Sequence, residues 1–157
     1  MVNTEHPAVE RVRRDLRAHG LDPGIRWFDE AATTAPAAAA ALGIPVGAIA
    51  NSLVFTLDGK PILVLTSGAH QVDTAWLGER LGGTIGRASK DAVRLATGQA
   101  IGGVAPVGHP SPLRTLVDVA LAGYPVVWAA AGHPHTVFPT SYDELLRLTG
   151  GHPAEVA

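Results

Sequence analysis

The chain has 157 residues, 46% hydrophobic and 17% charged, which fits one globular domain with a core and excludes a disordered chain. Its formal net charge of −2 excludes a generally cationic coat for nucleic acid, although it leaves room for a local basic patch. Because cysteine is absent, disulfides, thiolate metal sites and a cysteine nucleophile are excluded as well.

The N-terminal segment predicts an amphipathic helix over residues 4–19. Thr4 can cap this helix, Pro7 fits its first turn and Gly20 is a natural stop. Four arginines occupy its polar face, where they form either a solvated surface or an edge that contacts phosphate. These arginines are Arg11, Arg13, Arg14 and Arg17.

The strongest local signal further along the chain is a β-hairpin. Two apolar runs, 49–57 and 61–66, are joined by Asp58-Gly59, and strands so continuously apolar are usually covered on both faces. Helices are predicted at 31–42, 74–81, 90–96 and 141–148, where a capping residue begins each helical run and a glycine ends it. The predicted caps are Thr34, Asp73, Ser89 and Ser141. Short strands are predicted at 25–28, 113–119, 125–131 and 136–138. The tail after Gly151 is expected to be loose.

This irregular alternation of helices and strands around one strong hairpin predicts an α/β (α+β) domain with a mixed sheet. No internal repeat or domain boundary is visible, so residues 1–157 are expected to form a single domain with its core at about 25–150. The most apolar stretches, 35–50 and 117–131, contain Gly or Pro and are shorter than the ~20 residues of a membrane helix. We therefore expect a soluble, cytoplasmic protein with no targeting segment and no membrane contact.

The first candidate for chemistry is the segment 98–110, which combines four glycines and two prolines with apolar residues. We predict a strand here that is interrupted by glycines. Glycine lets a ligand approach the backbone closely, so successive amides can bind a carbonyl oxygen or an anion as an oxyanion hole does. The alternative is a purely structural bulge or tight bend. Nucleotide binding is a weak interpretation, because the Lys-Ser/Thr ending of a phosphate-binding loop is missing.

Asn51 is the second candidate, because strand alternation places it on one face with Ile49, Leu53 and Phe55. A buried amide without partners costs about 1–3 kcal/mol, so this side chain needs hydrogen bonds. Either it binds the backbone of a neighbouring loop, or it lies at the floor of an apolar ligand pocket.

Histidines and one acidic residue are the remaining candidates. His133 and His135 could form a metal site with His109 or His152, but a proline between the first two disturbs strand alternation. A hydrogen-bonding or substrate-contacting role for His133 is the stronger interpretation. Asp118 lies in an apolar run, either as a buried acid or at the end of a strand. A serine nucleophile is not expected, because no Gly-x-Ser-x-Gly elbow is present.

Several of these segments together resemble the YbaK/prolyl-tRNA synthetase-associated domain family of trans-acting aminoacyl-tRNA editing proteins. The resemblance covers about residues 25–150 and is carried by residues 49–55, 97–108, the Asp118 strand and residues 131–134. It implies a mixed sheet that curls like a barrel and is surrounded by helices. It also implies an editing hydrolase that maintains translation fidelity. Such an enzyme removes mischarged amino acids, commonly alanine or cysteine, from a proline tRNA and needs no metal or cofactor.

The resemblance also assigns site residues. The family's Gly-x-x-x-Pro loop matches Gly102 to Pro106, whose backbone would hold the aminoacyl group, and Asn51 takes the position of the family's catalytic lysine. His133-Pro134 is similar to a His-Pro pair near the pocket of some alanine-specific members. The residues expected in the site are, for catalysis, Asn51, Gly102, Gly103, Val104, Ala105 and Pro106, and, for substrate binding, Ser52, Phe28, His133 and Asp118.

Asparagine in place of lysine matters physically. Its neutral amide can orient a carbonyl or a ribose hydroxyl, but it cannot neutralise negative charge. Loss of a charge-assisted hydrogen bond would cost about 2–4 kcal/mol at the transition state, ~30- to 1000-fold in rate. The chain has two lysines, Lys60 and Lys90, and neither is an obvious substitute.

The first hypothesis is therefore an aminoacyl-tRNA deacylase that clears a small amino acid, with backbone amides at the oxyanion and water as the nucleophile. The alternative is a non-catalytic module of the same fold that binds aminoacyl-tRNA or a small ligand. Hydrolysis of a different ester or amide is a third class. Because the net charge is negative, tRNA binding is expected to be weak and salt-sensitive, or to depend on a synthetase partner. Either a monomer or a homodimer agrees with the sequence.

Overall fold

The structure is a computed structural model that describes residues 6–157. In this range the α-helices are α1 (Pro7–Ala18), α2 (Ala35–Leu42), α3 (Thr74–Leu81), α4 (Lys90–Thr97) and α5 (Tyr142–Thr149). The β-strands are β1 (Arg26–Trp27), β2 (Ile49–Leu57), β3 (Lys60–Ser67), β4 (Ile85–Arg87), β5 (Arg114–Asp118), β6 (Val127–Ala130), β7 (Thr136–Thr140) and β8 (His152–Ala154). Two short 3-10 helices span Val46–Ala48 and Val119–Gly123.

Local capping chemistry decides where the helices α2 to α5 begin and end. Each starts at a side chain that accepts a hydrogen bond from the amide three residues later; these caps are Thr34, Asp73, Ser89 and Ser141. Each ends at a glycine in the left-handed region, namely Gly43, Gly82, Gly98 and Gly150. Helix α1 begins at Pro7 with no side-chain cap from His6, and the predicted cap Thr4 lies outside the described residues.

The strands form one mixed sheet, as the sequence predicts. Its order is β1-β7-β6-β2-β3-β5-β8, and β4 pairs with β2 outside this path. The predicted hairpin is the long antiparallel pair β2–β3, with Ala50 opposite Ser67 and Leu57 opposite Lys60. The pairs β2–β6, β3–β5 and β5–β8 are parallel. The hairpin therefore occupies the centre of the sheet.

The central strand β2 has a gap along one of its edges. Its other edge is taken by β3 along nearly its whole length. On the gapped edge, β6 pairs only with Ile49 and Ala50, and β4 pairs only with residues 55–57. Within the described part of the chain, residues 51–54 have no strand partner on this edge. The gap leaves Asn51 and Ser52 at an opening in the middle of the sheet.

The core is built around β3, which is buried on both faces. Leu63 and Leu65 pack in the main apolar cluster with residues of α1, α4 and α5, and Ile62 and Val64 pack in a second cluster with α3. The apolar sequence of β2 predicts the same coverage, but its residues from position 51 onward are only half-buried. The gap and the cavities beside it account for the difference.

The glycine-rich segment is not a strand, which corrects the sequence prediction. Residues 98–113 form turns and irregular structure, held from within by the buried side chain of Gln99. The Gln99 side-chain oxygen accepts a hydrogen bond from the Ala105 amide at 2.6 Å, and its Nε2 donates to the Val107 carbonyl at 3.0 Å. One side chain thus supplies the donor and the acceptor that a neighbouring strand would otherwise provide.

The C-terminal tail is ordered, contrary to the prediction that it is loose. Strand β8 pairs with β5, with Leu116 opposite His152. The Val156 side chain is buried, and its carbonyl accepts a hydrogen bond from the Asp73 amide at 2.8 Å.

Strand β4 is a further element that the sequence did not predict. None of the helices between residues 6 and 157 has the length and apolar character needed to cross a membrane.

Candidate functional site

Two neighbouring cavities open beside the gap in β2. The first, which we call the loop cavity, has a volume of about 440 Å³ and lies between β2, α2, β6 and residues 101–104. The second, which we call the strand cavity, has a volume of about 450 Å³ and lies over the β2–β3 hairpin and β4. Both volumes are in the range of small-molecule sites. Four residues line both cavities: Asn51, Leu53, His70 and Gln71.

Asn51 and the glycine-rich loop meet at the loop cavity. Asn51, Ser52, Gly102 and Val104 all line it, although about fifty residues of sequence separate the two segments. The Ser52 hydroxyl oxygen is buried and has no hydrogen-bond partner in the described part of the chain. A buried hydroxyl without a partner costs free energy, so the Ser52 side chain is an unsatisfied polar group in the wall of the cavity.

Not every backbone amide of the loop is available to a ligand. The Gly103 amide already donates to the Ala100 carbonyl at 3.0 Å, and the Ala105 amide donates to Gln99. Ile101, Gly102 and Val104 line the cavity, and between residues 6 and 157 no hydrogen-bond acceptor takes their amides. The candidate donors to a bound oxygen atom are therefore among these three N–H groups.

Pro106 and Ala105 lie away from the loop cavity. Pro106 has no N–H, and it lines a separate cavity of about 430 Å³ together with Asp15, His109 and Arg147. Ala105 is fully buried in the main apolar cluster. Ala105 and Pro106 therefore affect the loop cavity only by setting the backbone path of the loop.

The back of the loop rests directly on residues 132–134. A Cβ atom at Gly103 would lie 2.5 Å from the carbonyl carbon of His133 and 2.6 Å from the nitrogen of Pro134, so only glycine fits. The Gly103 carbonyl also accepts a hydrogen bond from the Gly132 amide at 2.9 Å. The His-Pro pair therefore packs against the loop at Gly103 without lining the cavity itself.

His133 and Phe28 are not among the residues that line either cavity. The His133 ring packs against Trp27 at 5.3 Å and His135 at 5.2 Å, and its Nδ1 accepts a hydrogen bond from the His135 amide. Burial, followed by the neighbouring His6 and His135, lowers the pKa of His133, which favours the neutral ring. The Phe28 amide donates to the His135 carbonyl at 2.7 Å. Both residues thus belong to the support of the site.

No metal cluster accompanies these histidines. In residues 6–157, no three His, Asp or Glu side chains come together in a way that could hold a metal ion.

Asp118 is both a buried acid and a turn cap. It is 1% exposed, and its carboxylate accepts hydrogen bonds from the Ser67 amide and the Ala120 amide, both at 2.9 Å. The Thr66 hydroxyl donates to it at 3.4 Å, and Nδ1 of His70 lies 2.9 Å from its Oδ2 atom. Asp118 does not reach a cavity itself, but it fixes a histidine that does.

His70 is the site residue that sequence reasoning missed. It follows the Ser67-Gly68 turn, which the sequence presents as an ordinary turn signal. The structure places its side chain, which is 45% exposed, among the residues that line both cavities, as Asn51 does. The signal that could have found it is the buried acid Asp118, which needs donors to satisfy its oxygen atoms.

Strand β4 contributes a positively charged residue, Arg87, to the lining of the strand cavity. Arg87 lies opposite Phe55 in the antiparallel register and therefore on the face of β2 that carries Leu53 and Asn51. Among the described residues that line the two cavities, Arg87 is the one arginine or lysine. The loop cavity itself is lined by neutral residues and His70.

Known proteins share the sequence and the fold of this chain. The family model described as "Aminoacyl-tRNA editing domain" matches residues 29–148. A Bacillus subtilis (strain 168) protein named "Uncharacterized protein YwhH" is 26% identical over 139 residues, which are 88% of each chain. The proline–tRNA ligase of Geobacter sulfurreducens is 30% identical over an alignment of 123 positions, which covers 71% of this chain but 21% of the ligase. A crystal structure named as that of "a putative trans-editing enzyme for prolyl tRNA synthetase" has a TM-score of 0.90 and 39% identity over 98% of both chains.

Proposed function

Because the chain belongs to the aminoacyl-tRNA editing domain family, we propose that it is an aminoacyl-tRNA deacylase that hydrolyses the ester of a mischarged small amino acid. The observation that carries this proposal is that Asn51, Gly102 and Val104 line one cavity and that the amides of Gly102 and Val104 have no acceptor among the described residues. One solved structure that shares the fold of this chain is itself named as a putative trans-editing enzyme.

The proposed mechanism depends on stabilising the negative charge that develops on the ester carbonyl oxygen. Attack of water on the ester carbonyl turns its oxygen into an oxyanion, and the amides of Gly102 and Val104 would donate hydrogen bonds to it. A preorganised donor of this kind contributes about 10²–10³ in rate, because it needs no reorganisation during the reaction. Asn51 would orient the ester or the terminal ribose through its side-chain amide.

The walls of the loop cavity favour a small amino acid side chain. Ala35, Ala38, Ile49 and Trp128 form its apolar part. A short aliphatic group would pack there, whereas a charged side chain would be desolvated without a partner. Among the substrates the family resemblance suggests, alanine fits this lining better than a larger residue does.

The missing lysine charge would be supplied from the strand cavity. Arg87 and Asn51 both line this cavity, and a guanidinium group binds phosphate well. We assign Arg87 to the phosphate next to the terminal nucleoside. Contact with the rest of the tRNA would be weak and sensitive to salt, since the net charge is −2. Delivery of the tRNA by a synthetase in the cytoplasm agrees with this weakness.

We further propose that residues 1–157 act as one domain. Val12 and Leu16 of α1 pack in the same apolar cluster as Ala105 of the loop and Leu145 of α5. Removal of α1 would therefore expose the core beneath the glycine-rich loop.

Deacylation of a panel of tRNAs, each carrying a different amino acid, tests the proposed function. We expect the full chain to accelerate hydrolysis of at least one small aminoacyl ester by 100-fold or more over buffer. The matched variant Lys60→Gln, which changes an exposed residue outside both cavities, is expected to retain that rate. No acceleration for any member of the panel would reject the proposal.

A binding module without turnover is the second candidate. It is favoured by one observation, namely that a neutral amide occupies position 51 and no lysine or arginine among the described residues lines the loop cavity. The variant Asn51→Lys separates the two candidates. If it creates hydrolysis where the natural chain shows none, the natural protein is a binder, and if an existing rate falls, Asn51 itself acts in catalysis.

A further inference from the structure

A buried carboxylate holds one ring nitrogen of His70 beside the two cavities. Nδ1 of His70 lies 2.9 Å from Oδ2 of Asp118, which is 1% exposed. The amides of Ser67 and Ala120 fix this carboxylate from two different elements. The position and orientation of the ring are therefore set by the fold rather than by solvent.

The opposite ring nitrogen, Nε2, is available to a ligand. It makes no hydrogen bond to any residue between 6 and 157, and the side chain is 45% exposed at the junction of the cavities. When a carboxylate accepts the Nδ1 proton, neutral imidazole presents Nε2 as a hydrogen-bond acceptor and base. A histidine oriented in this way on a buried acid is an arrangement that serves general-base catalysis.

We propose that His70, oriented by Asp118, is the general base that activates water in the loop cavity. This proposal rests on the proposed deacylase function. In the first step, Nε2 takes a proton from water while the water oxygen bonds to the ester carbonyl carbon, and the carbonyl electron pair moves to the oxygen held by the loop amides. In the second step, the electron pair on the oxyanion re-forms the carbonyl and the bond between the carbonyl carbon and the ribose oxygen breaks. Nε2 then gives its proton to the leaving ribose oxygen, which becomes a hydroxyl. Ester and water thus become a carboxylic acid and an alcohol.

Other groups near His70 cannot replace it as the base. Arg87 shares the strand cavity, but a guanidinium group only donates hydrogen bonds and offers no acceptor atom for a proton. Tyr142 lies near Asp118, and its pKa is raised by burial, by Asp143 and by Asp118, so it holds its proton more firmly than an ordinary tyrosine. The charged and titratable groups near the ring are therefore Asp118 of β5, which contacts Nδ1, Arg87 of β4, which lines the same cavity, and Tyr142 of α5, which interacts with Asp118.

The variant His70→Asn provides the test. Its side-chain nitrogen can keep the donor to Asp118, but it has no counterpart of Nε2. Single-turnover deacylation of the preferred aminoacyl-tRNA is compared for the full chain, His70→Asn and the control His152→Asn, which changes an exposed histidine outside both cavities. We expect His70→Asn to lose about 10²–10⁴ in rate, with tRNA affinity and melting temperature unchanged, and His152→Asn to match the natural chain.

A pH profile of the natural chain gives a second readout that does not depend on the variant. A side-chain base makes the rate rise with pH until the base has lost its proton and then level off, whereas attack by free hydroxide makes the rate rise without a plateau. A rise without a plateau, or a natural rate in His70→Asn, would overturn the role of His70 while leaving the deacylase proposal intact. If the natural chain hydrolyses no aminoacyl-tRNA, the proposed function fails and this inference fails with it.

Discussion

Replacement of Gln99 tests how the glycine-rich loop is held together. The side chain is 2% exposed, and it satisfies the Ala105 amide at 2.6 Å and the Val107 carbonyl at 3.0 Å. In Gln99→Leu the volume is roughly conserved, but both buried backbone groups lose their partner. Each unsatisfied group costs about 1–3 kcal/mol, so we expect the free energy of unfolding to fall by about 2–6 kcal/mol.

This loss is large against the stability of a domain of this size, which is typically about 5–15 kcal/mol. Urea unfolding measures it directly, and amide hydrogen exchange of residues 100–108 shows whether the opening is confined to the loop. The control Gln71→Leu changes an exposed glutamine and is expected to stay within about 0.5 kcal/mol of the natural chain. Equal unfolding free energies for Gln99→Leu and the natural chain would refute the idea that Gln99 organises the loop.

Three further predictions concern the packing at Gly103, the protonation of His109 and the charge of Arg87. Gly103→Ala places a Cβ 2.5 Å from the His133 backbone, so we expect a loss of about 1–3 kcal/mol in urea unfolding, whereas Gly123→Ala, with nothing within 4 Å, is expected to be neutral. Burial lowers the pKa of His109, so the unfolded chain binds more protons than the folded chain below about pH 6.5. The free energy of unfolding is therefore expected to fall on acidification from pH 7, and His109→Gln is expected to reduce the slope of unfolding free energy against pH. A slope unchanged in His109→Gln would show that another group is responsible. Arg87→Gln is expected to weaken binding of aminoacyl-tRNA several-fold and to flatten its dependence on salt, and unchanged affinity across a salt series would contradict the phosphate contact.

Short-range chemistry explains why much of the fold could be predicted. The Asp58-Gly59 turn and the caps Thr34, Asp73 and Ser141 act within three or four residues, and the structure confirms each of them. Strand β8 could not be predicted in this way, because it exists through parallel pairing with β5 and has little apolar pattern of its own. The glycine-rich segment misled the prediction because Gln99 replaces a partner strand with side-chain hydrogen bonds.

The site was predictable only as far as sequence motifs extend. Asn51 and the Gly102 loop could be singled out, since one is a polar residue on an apolar strand and the other exposes its backbone. The pair of His70 and Asp118 is separated by 48 residues and is created by the parallel register of β3 and β5. Neither residue has a local pattern that indicates the other, so three-dimensional structure was needed to bring them together.

The location of the ester-binding site is the claim on which the account depends most. It can be measured by NMR titration with an amide-linked analogue of 3′-alanyl adenosine, which presents the aminoacyl group but resists hydrolysis. We expect the largest shift changes at the amides of Gly102 and Val104 and at the side-chain amide of Asn51. Shift changes centred instead on Asp15 and His109, at the separate cavity behind the loop, would contradict the account.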